Sequence, residues 1–477
     1  MATISAKQFK TDAKKIAGDL RHRGLIQTAL RKYETSRDLQ KSAFQDWQGA
    51  RQAAAERKWE AINHLDTYLE MFSSKMEARG TKVHWASNGE QAREIILGIL
   101  RDKAAKSIIK SKAMTAEEIH LNDAMEKAGY SVVESDLGEY IVQLRNEAPY
   151  HIVFPAMHLT RGEISSLFAE KLGSAPTDNP EDLTMIARGV LRDKYITAEV
   201  GITGANFAVA ETGMVSITEN EGNARLTAAL PKTMITLVGI EKIVPKLSDL
   251  ALFLPMLATA GAGQAITGYN SMYSGPRQPG ECDGPEEYHV VLLDNCRTQL
   301  LADAEQRDAL HCIRCGACLN VCPIYRNVGG HTYGTTYSGP VGSVITPHLR
   351  GLQEWKHLSQ ASSLCGACTE ACPVKIDLHH HLLQNRRNAM GAKPVWWEKL
   401  AFHAFGFLAT RPELLRKLIP FGRFGQKFHW LVLGGPLDPA KAWTETRDLP
   451  PLAKHTFTDL WRAKKRAVKT EKTEAAK

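Results

Sequence analysis

HCIRCGACLNVCP, from His311 to Pro323, and SSLCGACTEACP, from Ser362 to Pro373, decide how the chain is organised. Together they hold seven of its nine cysteines. Cys312, Cys315, Cys318 and Cys322 stand as C-x2-C-x2-C-x3-C, with Pro323 following. Two-residue gaps let the backbone curl until three thiolates converge on one centre. Small residues such as Gly316 and Ala317 bring backbone N–H groups near the sulfurs, and the fourth cysteine, ahead of proline, is carried towards a second centre. This is the spacing of iron–sulfur ligands.

Counted back from Cys372, the second motif has Cys368 and Cys365 in register, and Ser362 stands where a full motif has its first cysteine. Seven thiolates imply two clusters, each expected as [4Fe–4S]. With ligands crossing over as in two-cluster ferredoxins, the first cluster takes Cys312, Cys315, Cys318 and Cys372, and the second Cys322, Cys365 and Cys368. The second is then a three-iron centre, or a four-iron centre whose last iron binds Ser362, water, substrate, Cys282 or Cys296; the sequence does not choose. Zinc favours separated C-x2-C pairs or mixed Cys/His sets, and a disulfide framework needs no such spacing. His311, His331, His348, His379, His380 and His381 are read as surface or cap residues.

At 477 residues, 43% hydrophobic and 23% charged, the chain has material for two or three soluble domains. Its surplus of 60 Lys and Arg over 52 Asp and Glu is placed largely in the N-terminal helices and at the end of the chain. Arg462 to Lys477 is expected as a solvated, disordered tail. No basic patch interleaved with aromatics points to nucleic acid. The N-terminus lacks the apolar core of a signal peptide, and the apolar run Ala251–Ile266 is too short to span a membrane. A cytoplasmic location follows, where thiols stay reduced.

Residues 1–80 are expected as two or three helices, with Trp47 and Trp59 as packing residues. From Lys82 strands and helices alternate: KVHWA, then a helix capped by Asn88, then SIIKSKAM, then a helix opened by a Thr115/Glu118 capping box, then YSVVESDLGEY as a strand. VGITGANFAVAETGMVSITENEGN is expected as two strands joined by the Ala210–Gly213 turn, TMITLVGIEKIV as a buried strand and HVVLLDN as a further one. This order predicts a parallel, three-layer α/β domain over 81–300, followed by an α-helical two-cluster ferredoxin-like domain over 301–390 and a C-terminal segment over 391–477. Ligands of open α/β sheets bind at the carboxyl ends of strands. Loop residues there are Lys112, Glu134, Asp136, Glu211, Thr212, Asn220, Glu221 and Asn223. Lys112, as partner of a carboxylate, and Glu211, as a base, are the catalytic candidates. No dinucleotide or P-loop motif is present. The aromatic and basic stretch VWWEKLAFHAFGFLATRPELLRKLIPFGRFGQKFHWLVLGG suggests an amphipathic helix pair, for core packing, a subunit contact or the surface of a membrane.

ETGMVSITENEGNAR, LVGIEKIVP, the cysteine pattern with its absent eighth ligand and the WWEKLAFHAFGF tail together resemble the lactate-utilisation iron–sulfur protein B family, the iron–sulfur subunit of a bacterial L-lactate dehydrogenase complex. The resemblance implies an α/β domain of the sugar-phosphate isomerase and CoA-transferase type and oxidation of L-lactate to pyruvate with two partner proteins. The expected role is electron transfer through two clusters to an unidentified acceptor, with peripheral membrane contact. Two other readings stay open: an electron-transfer subunit for another 2-hydroxy acid such as glycolate, and a protein that senses redox state or a small acid.

Overall fold

Short runs of β-branched and aliphatic residues, each followed by a helix, build an open parallel sheet, because only a helical crossover returns the chain to the same sheet edge. In the computed structural model, which describes residues 4–392, 396–428 and, with gaps, 435–474, this sheet has six parallel strands. They are β1 (Lys82–Ala86), β2 (Ser107–Lys110), β3 (Ser131–Glu134), β4 (Val200–Gly204), β7 (Thr233–Gly239) and β10 (Glu287–Leu293), in the order β1-β10-β7-β4-β2-β3. Every residue of β4 and β7 is buried, as expected for central strands covered on both faces. A smaller sheet, ordered β8-β5-β6-β9, is formed by β5 (Phe207–Val209), β6 (Met214–Glu219), β8 (Ile243–Val244) and β9 (Tyr269–Tyr273).

Residues 1–392 form one compact unit and 393–477 a second. Within the first, four N-terminal helices (Ala6–Gly18, Leu20–Lys41, Trp47–Asn63 and Leu65–Glu77) stand where two or three were expected. They join the sheets to the cysteine region: one core combines Phe9, Ile26 and Leu30 of these helices with Phe253 and Leu257 of the helix Leu250–Ala262 and with Leu319, Tyr333 and Trp355 beyond the first cysteines. The apolar run Ala251–Ile266 thus lies mostly in a buried helix. No helix among the described residues is long and apolar enough to cross a membrane.

Several local expectations are corrected. The strand read through YSVVESDLGEY stops at Glu134, because Asp136 caps a helix, Leu137–Leu144, by accepting from the Glu139 N–H. The segment read as two strands contains three, β4, β5 and β6. Thr115 and Glu118 form no capping box: the helix Met114–Glu118 starts at Ala113 without a side-chain cap, and His120 at φ 53° breaks it from the next helix. Glu118 is taken by a distant partner, Arg297.

Arg297, 2% exposed, donates to Glu118 through both terminal nitrogens at 2.9 and 2.8 Å and to Glu241 through Nε. Asn295 and the Tyr337 hydroxyl also donate to Glu118, at 2.7 and 2.6 Å. Arg314, beside Cys315, donates to the other oxygen of Glu241 at 3.2 Å. Burial alone raises the Glu241 carboxyl, but Arg297 and then Arg314 more than reverse this and hold it at about 2. The network fastens the ends of β7 and β10 to the cysteine loop.

The second unit contains helices Trp396–Ala409, Pro412–Lys427, Lys441–Thr444 and Phe457–Glu474. The segment expected as a disordered tail is helical to Glu474, with the Thr456 hydroxyl accepting from the Asp459 N–H at its start; residues 475–477 lie outside the described residues, as does part of the aromatic stretch, 429–434.

Arg297→Met leaves two buried carboxylates without their main partner. The variant is expected to lose about 3–5 kcal/mol, read as a lower urea midpoint of the cluster-loaded protein; a midpoint equal to that of the wild type would refute the role given to the network.

Candidate iron–sulfur centre and adjoining cavity

The two cysteine motifs fold alike. Arg314 and Leu364, each just before the second cysteine position, have φ of 60° and 55°, and Gly316 and Gly366, just after it, have φ of 78° and 80°. In each motif two left-handed residues flank the cysteine, one a glycine that adopts this conformation freely and one a residue with a Cβ that carries the strain. Each turn leads into a short helix, Ala317–Val321 or Ala367–Ala371, whose C-cap is the last cysteine, Cys322 or Cys372. The backbone of the cysteine loop is therefore duplicated, and the two short helices pack on each other.

That packing sorts the thiols. Cys315 interacts most with Cys372 and Cys312, and Cys372 with Cys312. Cys318 is influenced by Cys312 and Cys315 and more weakly by Cys368. Cys322 is paired with Cys365, and Cys368 with Cys322 and Cys365. By these neighbourhoods Cys372 stands with the thiols of the first motif and Cys322 with Cys365 and Cys368. Ser362 occupies the eighth place, its hydroxyl accepting from the Leu364 N–H at 3.1 Å. Cys282 is exposed, and Cys296 has Asp294, Arg297 and Glu118 as its charged neighbours.

No cysteine is in a disulfide. Burial, followed by the charge of Cys322, pushes the Cys368 thiol up to about 11, and burial pushes Cys372 up to about 12 even though the Ile376 and Val374 N–H groups favour its thiolate. Buried thiols of this kind lose their protons to a metal that takes up the charge. Backbone N–H groups already point at sulfur: Tyr325 N to Cys322 Sγ at 3.5 Å and Ile376 N to Cys372 Sγ at 3.4 Å. Lys58, Lys242 and Arg314 all lie in the field of Cys312, so cations stand ready for a negatively charged centre. Donor set, N–H groups and cations fit iron–sulfur clusters. Cys365 is exposed, whereas Cys315 and Cys318 are buried, so the second set opens to the surface.

The histidines, expected as surface or cap residues, divide. His331 and His380 are exposed, whereas His311, the last residue of the 3-10 helix Arg307–His311, and His381 are buried. His311 meets Trp59 edge-on at 4.7 Å, and His381 lies 2.7 Å from Asp308.

Beside the first cysteine set is a cavity of about 320 Å³. Lys112 and Asp136 enter it from the carboxyl ends of β2 and β3, Glu221 from the turn after β6, Lys242 from the turn after β7, and Arg314 and Cys315 from the cysteine loop. Asn220 and Asn223 also line it. Of the loop residues singled out in the sequence, Glu134, Glu211 and Thr212 are not among its walls. Glu134 is buried in an ion pair with Lys110 at 2.7 Å, and Glu211 accepts from the Leu247 N–H at 2.9 Å. The structure thus separates Lys112 from Glu211. It adds Lys242 and Arg314, which no motif marked: one sat within an apparent strand and the other between two cysteines.

Lys242 is 6% exposed, and among the described residues its ammonium makes no hydrogen bond or ion pair. Burial, then Arg314, lowers it to about 8. Arg314 lies over the Tyr337 ring at 4.5 Å, and its Nε and Nη1 have no partner. Burial, then Asp136, raises Glu221 to about 7.

Three family models match along the chain: the LUD domain over residues 69–293, a 4Fe-4S dicluster domain over 308–376, and the C-terminal domain of lactate utilisation protein B over 377–466. Proteins named lactate utilization protein B are similar over almost the whole length. That of Bacillus velezensis is 45% identical, covering 92% of this chain and 93% of its own. That of Shouchella clausii is 43% identical over 97% and 98%, and that of Bacillus subtilis 43% over 94% and 95%. A crystal structure of a DUF162 family protein from Deinococcus radiodurans, 14% identical, overlaps 48% of this chain and 98% of its own with a TM-score of 0.27, too slight a likeness to argue from.

Proposed function

The chain belongs to the lactate utilization protein B family, and from that premise we propose that it is the electron-transfer subunit of a complex that oxidises L-lactate to pyruvate. It is an iron–sulfur protein of lactate utilisation, with a dicluster domain and a mixed α/β domain. The observation that carries the finer reading is the duplicated cysteine fold, whose last cysteines are exchanged between two neighbouring thiol sets.

Cys312, Cys315, Cys318 and Cys372 are the proposed ligands of one cluster, and Cys322, Cys365 and Cys368 those of the other. A bound cluster supplies one-electron storage and transfer. The chain's own residues hold the thiolates at a fixed separation, exclude water from the first set and offset its negative charge. Arg51 donates to the carbonyls of Cys372 and Thr369, at 2.9 and 3.2 Å, fixing the motif that both sets share. Exposure at Cys365 gives electrons an exit towards an acceptor. Two partner subunits of the lactate-utilisation system complete the reading.

A peripheral membrane contact has its own support. From Lys393 onward the chain has 17 Lys and Arg against 8 Asp and Glu, so the surplus of the whole protein resides there. Trp396, Trp397, Phe402, Phe405, Phe421 and Phe424 on two of its helices are exposed. Exposed aromatics among cations suit an anionic lipid surface.

Three outcomes are expected. Anaerobic addition of L-lactate to this chain with its partner subunits should produce pyruvate and the EPR signals of reduced clusters; absence of reduction in the assembled complex, with clusters intact, would discard the lactate reading. Ser362→Cys should suppress the three-iron EPR signal that mild oxidation produces in the wild type, because an eighth thiolate retains the last iron; an unchanged signal would mean that Ser362 does not face the second centre. The protein should sediment with phosphatidylglycerol vesicles at low salt and be released by high salt or by Phe405→Ser with Phe421→Ser; sedimentation independent of lipid charge would remove the membrane contact.

A further inference from the structure

We propose that the cavity beside the first cysteine set binds a small hydroxy- or oxo-carboxylate, its carboxylate held between the Lys242 ammonium and the Arg314 guanidinium. This deepens, and rests on, the lactate-linked reading above.

The charges of the lining call for an anion. Glu241 is shared between Arg297 and Arg314, and Lys242 makes no ion pair. Arg314 retains two buried N–H positions without acceptors. A buried cation and a half-satisfied guanidinium in one wall are costly unless an anion completes them. A negatively charged centre at Cys312 accounts for part of this, as it does for Lys58. But Lys58 also has a protein partner, donating to the Glu241 carbonyl at 2.6 Å. Lys242 has none, and it borders the cavity.

Other residues of the lining have the complementary chemistry. Asp136 raises the Glu221 carboxyl, and Glu221, in the cavity lining, accepts from the Leu137 N–H at 3.1 Å through one oxygen. With a carboxyl group near neutrality there, a hydroxyl or carbonyl on the ligand finds either an acceptor or a donor. Lys112, in the same lining, is fixed by donating to the Val153 carbonyl at 2.8 Å.

Size and position agree. About 320 Å³ is at the lower end of the roughly 300–1,000 Å³ of ligand pockets, which selects a small molecule. The walls are the carboxyl ends of neighbouring parallel strands, where open α/β sheets take their ligands. Gly261, in the helix Leu250–Ala262, lets that helix close the cavity against the cysteine loop: a Cβ there would come within 2.6 Å of the Cys315 carbonyl oxygen. A ligand so held adjoins a cysteine of the first set.

The test uses the cluster-loaded full chain under anaerobic conditions, with labelled L-lactate and pyruvate in equilibrium dialysis and the EPR line shape of the reduced protein as a second readout. Saturable binding and a ligand-dependent line shape are expected in the wild type. Lys242→Gln should weaken binding by about tenfold or more, the effect of one charge-assisted hydrogen bond, at unchanged iron content. Lys232→Gln, at an exposed position, should bind as the wild type does. Absence of saturable binding, equal binding by Lys242→Gln, or equal displacement by inorganic phosphate would each overturn the assignment. Binding without lactate-driven reduction in the complex would sink the proposed function and leave this site standing; reduction without binding to this chain would do the reverse.

Discussion

Two buried glutamates and two arginines govern where the cysteine loop stands relative to the sheet. Removing such groups from water costs several kcal/mol per ion, and their mutual attraction repays this only when geometry and hydrogen bonding are complete. Glu118 comes close to that condition: Arg297 grips it with both terminal nitrogens, and Asn295 and Tyr337 fill remaining acceptor positions. Glu241 divides its two oxygens between Arg297 and Arg314. Because Arg314 lies between Cys312 and Cys315, the pairing that closes the α/β core also sets the first thiols. Stability and site geometry are therefore one interaction, and the sheet cannot shift without moving the cysteines.

The N-terminal helices hold the backbone of Glu241 and of the second cysteine motif. Lys58 donates to the carbonyl of Glu241, and Arg51 to the carbonyls of Thr369 and Cys372. Gly261 permits the close approach of its helix to Cys315, and Gly316 does so for His151 and Val153, where a Cβ would lie within about 3 Å of either side chain. His151 in turn holds Asn320, in the short helix after the first motif, at 3.0 Å. The cysteine region is thus wedged between elements that lie far before it in the chain, which explains why residues 1–392 pack as one unit.

This dependence on distant partners marks what the sequence could tell. The thiol spacing was legible because it is local, and so were β1, its following helix with the Asn88 cap, and β10. Thr115 and Glu118 matched a local pattern equally well and misled, since the partner of Glu118 is 179 positions away. Lys112, Asp136, Asn220, Glu221 and Asn223 were found because strand ends have a general role in α/β sheets. Glu211 was offered by the same rule and lies elsewhere, since a turn residue shows its chemistry but not which way it faces. Lys242 and Arg314 were missed for a different reason: a cation inside an apolar run or a cysteine motif has no periodic signal, and only burial without a partner makes it conspicuous.

The matched backbones of the two motifs expose their differences in chemistry. At equivalent left-handed positions one has Arg314 and the other Leu364; at equivalent first positions one has Cys312 and the other Ser362. Around the first set are Lys58, Lys242 and Arg314, under cover of the sheet and helices. The second has an exposed Cys365, whose thiolate is favoured first by the Ala367 N–H and then by Ser363. Cluster potentials respond to net charge, hydrogen bonds to sulfur and solvent exposure. A symmetrical backbone with unequal charge and unequal access gives two sites of fixed separation but different electronic environment. The buried, cation-lined thiols adjoin the cavity, and the exposed Cys365 stands on the motif that also contributes Cys372.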